Sequence, residues 1–296
     1  MKNLLASLKI DILVWVILLQ LCVAYGFLRP LQIDVALNDF GVALLVFATF
    51  CTTVAGQIII WLYSNRYQKQ ITDKKENILF NFFLLATITG VGIGFYLSNV
   101  IARPIFVTIF IIISALCYLH ATYLKELFLI KNVVIAFFVA MVVLVPGIFD
   151  LLPAITMQNQ TSQQTIFSIL SDYAVLLFIL TLIYELISDC QHAESDLKSG
   201  ITTVATKFGI TKATRLCGIL LFIPMGLIFY YLYTYFFSKT KVVAVTLLLW
   251  IAPLLIAAIT LFNKTHSKAI SRSILLLKLV FLLIALSFVT YPYIII

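Results

Sequence analysis

The chain has 296 residues, 63% of them hydrophobic and 11% charged, with a formal net charge of +8. Soluble domains hold about 25% charged residues, and disordered chains are poor in apolar side chains, so both classes are excluded. The excess of 20 Lys and Arg over 12 Asp and Glu is read against a lipid bilayer, and no nucleic-acid partner is expected.

A helix of about 20 apolar residues crosses a bilayer. Nine stretches qualify: Ile12–Leu28, Ala36–Tyr63, Leu79–Val100, Ile105–Leu124, Val133–Leu152, Ile166–Ile187, Ala213–Phe237, Val242–Phe262 and Ile274–Ile296. Backbone groups in hydrocarbon must pair internally, so these are predicted helices rather than open sheet. The first stretch follows Lys2 and Lys9, and no small-residue cleavage site comes after it, so it reads as a retained span. Gly90, Gly92 and Gly94 alternate in the third stretch and predict close helix contact. Pro146 predicts a kink in the fifth. Cys22, Cys51, Cys117, Cys190 and Cys217 have no CxxC spacing and read as small buried hydrophobes.

Nine spans with a cytoplasmic N-terminus place fifteen cations inside: Lys2, Lys9, Arg66, Lys69, Lys74, Lys75, Lys125, Lys131, Lys198, Lys207, Lys212, Arg215, Lys264, Lys268 and Arg272. Only Arg29, Arg103, Lys239 and Lys241 fall outside, and Lys278 lies just within the last span. That bias matches the tendency of cytoplasmic loops to be basic. The fold class is therefore all-α, a polytopic membrane bundle of nine transmembrane helices. The outer loop after Pro153 is uncharged, whereas the inner loops after the second and sixth spans are rich in functional groups, so chemistry is expected on the cytoplasmic side.

Functional side chains concentrate between Tyr184 and Gly200. If the sixth helix continues through this stretch, Glu185, Asp189, His192 and Asp196 share one face and Glu194 points away. Carboxylates lined up at a membrane surface need a neutralising cation, and hard oxygen donors suit Mg²⁺, which keeps waters and accepts phosphate oxygens. The same pattern also fits a solvated amphipathic extension, with His192 a hydrogen-bonded neighbour of the acids rather than a ligand.

This stretch resembles the UbiA superfamily of membrane-embedded prenyltransferases, whose second aspartate-rich motif is approximately D-x-x-D-x-x-x-D-x-x-x-G-x-x-T, with a later glycine. Asp189, Asp196, Gly200, Thr203 and Gly209 fall in register, and Glu185 matches an acid one turn earlier. Leu124, Lys125 and Asn132 resemble the family's connection between the fourth and fifth helices. The resemblance implies one transmembrane domain over 1–296, an integral protein of a bacterial cytoplasmic membrane, and a cytoplasmic-side site. It also implies Mg²⁺ as cofactor, with a polyprenyl diphosphate and a lipophilic acceptor as partners alongside the bilayer. On that basis Asp189, Asp196, Glu185 and His192 are expected around Mg²⁺ and diphosphate.

The family's first motif, N-D-x-x-D-x-x-x-D after the second helix, is absent. Ile60 and Trp61 stand at its N-D pair, Ser64 and Gln68 at later aspartates, and no acid occurs between Gln57 and Thr72. At the second motif an inner aspartate is His192. Arg66, Lys69 and Lys125 are candidates to hold the diphosphate directly, since cationic side chains bind phosphate oxygens. They equally satisfy the basic bias of inner loops.

Three functions follow: an intramembrane prenyltransferase, a degenerate relative binding an isoprenoid lipid or partner enzyme without turnover, and a small-solute transporter. Transporters place ionisable groups near mid-depth, whereas Asp150 and Asp172 lie toward outer ends of their spans and Lys278 toward an inner end. No nucleophile–base arrangement or glycine-rich nucleotide loop is present, and no side chain is assigned as catalytic.

Overall fold

The computed structural model describes residues 8–67, 73–198, 200–263 and 267–295. Among these, helices account for all regular structure and no strand occurs. Nine helical segments are long and apolar enough to cross a membrane. We number them α1 (Ile10–Leu31), α2 (Asp39–Ser64), α3 (Lys74–Val100), α4 (Pro104–Thr122), α5 (Ile130–Ala154), α6 (Gln160–Lys198), α7 (Ile210–Tyr235), α8 (Thr240–Asn263) and α9 (Ser267–Ile294). Each contains most of one apolar stretch, and the chain is an integral membrane protein. The largest departure is α6, which continues eleven residues beyond Ile187 to Lys198.

Proline shapes the helices locally. Its nitrogen cannot donate to the preceding turn, and three helices depart from regular α geometry beside one, whereas α9 runs on through Pro292. After Pro146 the α-helix of α5 widens into a π turn over Gly147–Leu151. A similar π turn at Leu247–Ile251 stands just before Pro253 in α8. In α7 the α-helix is interrupted at Leu221, three residues ahead of Pro224.

Contacts divide the chain into two compact units, the first comprising 1–125 with 141–171 and the second 126–140 with 172–296. In the first unit, α2 packs along α3 and α4. Its core includes Leu45, Ala48, Leu97, Phe110 and Phe149. Phe149 meets Phe106 and Phe110 edge-on at centroid distances of 5.6 and 5.7 Å. Two of the three alternate glycines make the expected close approach. A Cβ on Gly90 would lie 2.7 Å from Thr52 Oγ1 and 3.1 Å from the Ala48 carbonyl, and one on Gly94 would run into the Phe110 ring. Gly92 differs, with nothing within 4 Å of its Cβ position. It borders an apolar groove of 720 Å³ between α3 and α4.

The loop between α1 and α2 is pinned by side chains within the same unit. Buried Asp150 accepts from the Leu37 N–H at 2.7 Å, and its carbonyl accepts from the Ala36 N–H at 2.8 Å. Gln163 donates to the Asp34 carbonyl at 2.8 Å, and Arg29 donates to that of Leu37 at 2.7 Å. Asp150 thus serves the loop's backbone, a structural role.

The second unit is centred on the inward sides of α6, α8 and α9, where Leu177, Leu180, Leu254, Ala257, Val280 and Phe288 are fully buried. Toward one end Tyr173 stacks near Phe288 at 4.3 Å, with Trp250 and Tyr291 at 6.4 and 6.3 Å. Tyrosine hydroxyls in an apolar setting need partners. Tyr173 pairs with Ser287 at 3.1 Å, and Tyr231 with Tyr291 at 3.1 Å. The cysteines are unbridged, four of them buried and Cys22 half-buried.

The glycines supply a stability test. Gly94→Ala is expected to destabilise by about 1–3 kcal/mol because the Phe110 ring must yield to the added methyl. Gly92→Ala, with open space and better helix propensity, should be neutral or stabilising by up to about 1 kcal/mol. Melting of the two variants in detergent distinguishes them, and equal shifts would contradict the packing described.

Candidate functional site

The site is built at the C-terminal end of α6. Its 39 residues at about 1.5 Å per residue greatly exceed a hydrocarbon core of about 30 Å. The final turns therefore carry polar residues past the apolar stretch. Because the helix is continuous to Lys198, Glu185, Asp189, His192 and Asp196 do fall on one face.

Two turn structures close this end. Gly200 adopts φ +71°, the left-handed conformation that glycine reaches without a Cβ penalty. Its N–H bonds the Leu197 carbonyl at 3.3 Å, and the Ile201 N–H bonds that of Asp196 at 2.9 Å, a Schellman ending. Thr203 then caps the short helix Val204–Phe208, in a reciprocal box with Thr206. Gly209, at φ +86°, precedes α7. The motif residues Gly200, Thr203 and Gly209 are thus the turn chemistry that stops α6 just beyond its acids.

Asp189 is 7% exposed, which is not a solvated helix face. Its Oδ1 accepts from Lys131 Nζ at 2.7 Å, and its Oδ2 from Asn132 Nδ2 at 3.0 Å. Both donors lie in the first turn of α5, whose helix dipole adds further positive potential beside the carboxylate. Asn132 is 1% exposed, and its Oδ1 is buried without a hydrogen-bond partner. A salt bridge this deeply placed is retained only where both charges are well paired.

The remaining predicted residues are arranged less tightly. Asp196 is half-buried within the fields of Lys131, Asp189 and His192. His192 is exposed, and its Nδ1 lies 2.9 Å from the Ser188 carbonyl one turn back, which leaves Nε2 available. Glu185 is half-buried. Lys207 stacks over Phe128 and Phe208 at 5.0 and 5.7 Å, tying the segment before α5 to the short helix after α6. Lys69 lies outside the described residues, as do the side chains of Arg66 and Lys125.

Sequence reasoning did not assign Lys131 to the site, although its inner-loop placement counted it among the cations. The available signal was the adjacent Lys131–Asn132 pair opening a helix that carries no other charged residue before Asp150. A buried carboxylate elsewhere requires donors of that kind.

Among the described residues, no group of three or more His, Cys, Asp or Glu side chains is gathered closely enough to hold a metal ion. The donors nonetheless suit Mg²⁺ in kind, because that ion takes one or two carboxylates and completes its shell with water and substrate phosphates. Asp189 and Asp196 are the residues that would hold it. The obstacle is the ammonium of Lys131, which already occupies Asp189 Oδ1.

Comparison with known proteins gives the family and the fold. The UbiA prenyltransferase family model matches residues 72–283. The solved structure of a digeranylgeranylglyceryl phosphate synthase superposes with a TM-score of 0.63, covering 98% of this chain and 94% of that one at 18% identity. At that identity the likeness establishes the fold. No curated protein matches the sequence.

The ion pair makes a separable energetic prediction. Lys131→Met strands a buried carboxylate and is expected to cost about 3–5 kcal/mol. The double substitution Lys131→Met/Asp189→Asn should recover most of that loss, because no uncompensated charge remains. Melting temperatures of wild type, both single variants and the double variant in detergent measure the coupling. Additive losses would show that the pair is not coupled.

Proposed function

The chain belongs to the UbiA prenyltransferase family, and on that premise we propose that it transfers a prenyl group from a polyprenyl diphosphate to a lipophilic acceptor dissolved in the membrane. The observation that carries the reading is the buried Asp189, held by Lys131 and Asn132 on the same helix face as Asp196. The carboxylates would offer ligands to a divalent cation, and Lys131 is a protein cation beside them. We take 1–296 as one prenyltransferase domain, with the site on the cytoplasmic side, where the basic loops are expected.

In the proposed reaction the allylic C–O bond of the donor breaks and its electron pair leaves with the diphosphate. The acceptor then supplies the electron pair for the new bond. Charge accumulates on the leaving oxygens, so the protein's task is to meet that charge with fixed cations and oriented donors. Mg²⁺ held at Asp189 and Asp196 would supply part of that neutralisation. Glu185 and His192 would act from the same face, and Arg66, Lys69 and Lys125 are proposed contacts to the diphosphate. An apolar groove or cavity within a helix bundle suits the isoprenoid tail.

A second reading has its own support. The closed Lys131–Asp189 pair, together with the absence of any acid between Gln57 and Thr72, fits a relative that binds an isoprenoid lipid or a partner enzyme without turnover.

Ligand that binds only the native state raises its stability, by about 2.7 kcal/mol at a hundredfold excess over Kd. With geranylgeranyl diphosphate and Mg²⁺ the purified protein should therefore melt several degrees higher, and the rise should vanish in Asp189→Asn/Asp196→Asn. A native protein that shows no rise, at ligand well above micromolar, would support the non-catalytic reading instead.

A further inference from the structure

We propose that Lys131 is a displaceable counter-ion: it closes Asp189 in the empty site, holds divalent metal off that carboxylate, and passes to the diphosphate when donor and metal arrive together. The inference rests on the prenyl-diphosphate reading above and adds an order of assembly to it.

A carboxylate as buried as Asp189 is not left uncompensated, because desolvation of an unpaired charge is costly. Lys131 provides the compensation at 2.7 Å. A metal ion approaching alone must displace that ammonium and leave it without its carboxylate partner in a weakly solvated place, where its side chain is 17% exposed. Metal alone is therefore bound weakly.

Arrival of a diphosphate changes the balance. The metal takes over the compensation of Asp189, and the phosphate oxygens offer Lys131 a stronger anionic partner. Mg²⁺ ligands lie at about 2.0–2.1 Å, so a phosphate sharing the ion with Asp189 comes close to an ammonium already touching that carboxylate. A lysine suits this task because its ammonium is a compact point charge on a flexible four-carbon stem.

Asn132 supplies the fixed part of the arrangement. Its Nδ2 holds the other carboxylate oxygen at 3.0 Å, so Asp189 keeps its orientation when Lys131 departs. Its Oδ1, buried without a hydrogen-bond partner, is a vacant acceptor for a metal-bound water. Asn132 is accordingly a positioning residue.

The charge inventory explains why the ammonium alone does not suffice. Around Asp189 stand Lys131 and His192, with Asp196 and Glu185 as further acids; α6 ends here with the negative pole of its dipole, and α5 begins with its positive pole. A diphosphate without metal is repelled from such a site. Donor binding is then strictly metal-dependent, while metal binding depends strongly on the donor.

The test measures binding of Mn²⁺, in place of Mg²⁺, by loss of the free-ion resonance, with and without a non-hydrolysable geranylgeranyl thiolodiphosphate. Wild type should bind Mn²⁺ weakly alone and about tenfold or more tightly with the analogue, the equivalent of one hydrogen bond to a charged group. Lys131→Met should bind Mn²⁺ alone more tightly than wild type and the analogue complex less tightly. A residue with a merely structural role would move both affinities in one direction, and that result would overturn the proposal.

Because Lys131→Met strands a charge and can compromise folding, Lys131→Arg is the second variant. It keeps the charge and pairs with carboxylates in a firmer, two-bond geometry. Its melting temperature should match or exceed wild type while analogue binding weakens several-fold. An Arg variant that binds metal and analogue as wild type does would also overturn the exchange. If wild type binds Mn²⁺ with the analogue and Lys131→Met is unchanged in both affinities, only the counter-ion role fails. If no variant or wild type binds the analogue at all, the donor-site reading fails with it.

Discussion

The burial of one charge organises the functional end of this protein. Asp189 projects from α6 into a poorly solvated position, and such a carboxylate persists only with a cation and a second donor in contact. Lys131 and Asn132, adjacent residues in the first turn of α5, provide both. That requirement draws the start of α5 against the end of α6. The segment before α5 is further held by Lys207 over Phe128.

Around this contact the helices obey the constraint that hydrocarbon leaves no backbone group unpaired. Where proline removes a donor, the chain answers with a π turn or an interruption rather than an open loop, at Pro146, Pro253 and Pro224. α6 ends in a glycine turn followed by a threonine cap, so its carbonyls are paired at the place where its acids gather. The short motif spanning Asp189 to Gly209 is thus two things at once: a set of acids on one helix face and the fold-back that ends that helix.

The chain keeps the family's second acidic motif in altered form and lacks the first. The loss removes carboxylates, and with them the places for additional cations, from the segment after α2. Under the proposed function, what remains would place more of the burden of phosphate recognition on protein cations. Lys131, paired with Asp189 at 2.7 Å, is the cation of the second unit to which we assign that role.

Much of the fold was legible from composition because the bilayer is a severe solvent: it admits few structures, and runs of about 20 apolar residues declare themselves. The nine spans, the membrane location and the single acidic face of α6 follow from length, hydropathy and helical period. Two of the three alternating glycines met the expected close contact, while Gly92 borders open space, since contact depends on what the facing helix presents. The sequence could equally describe Asp189 as a solvated acid or as a site residue. Only the tertiary structure removed the solvated description, by burying it and bringing Lys131 and Asn132 to its two oxygens from 58 and 57 positions away. Helical period is local and can be read along the chain, whereas the partner of a buried charge is chosen by how separate helices pack.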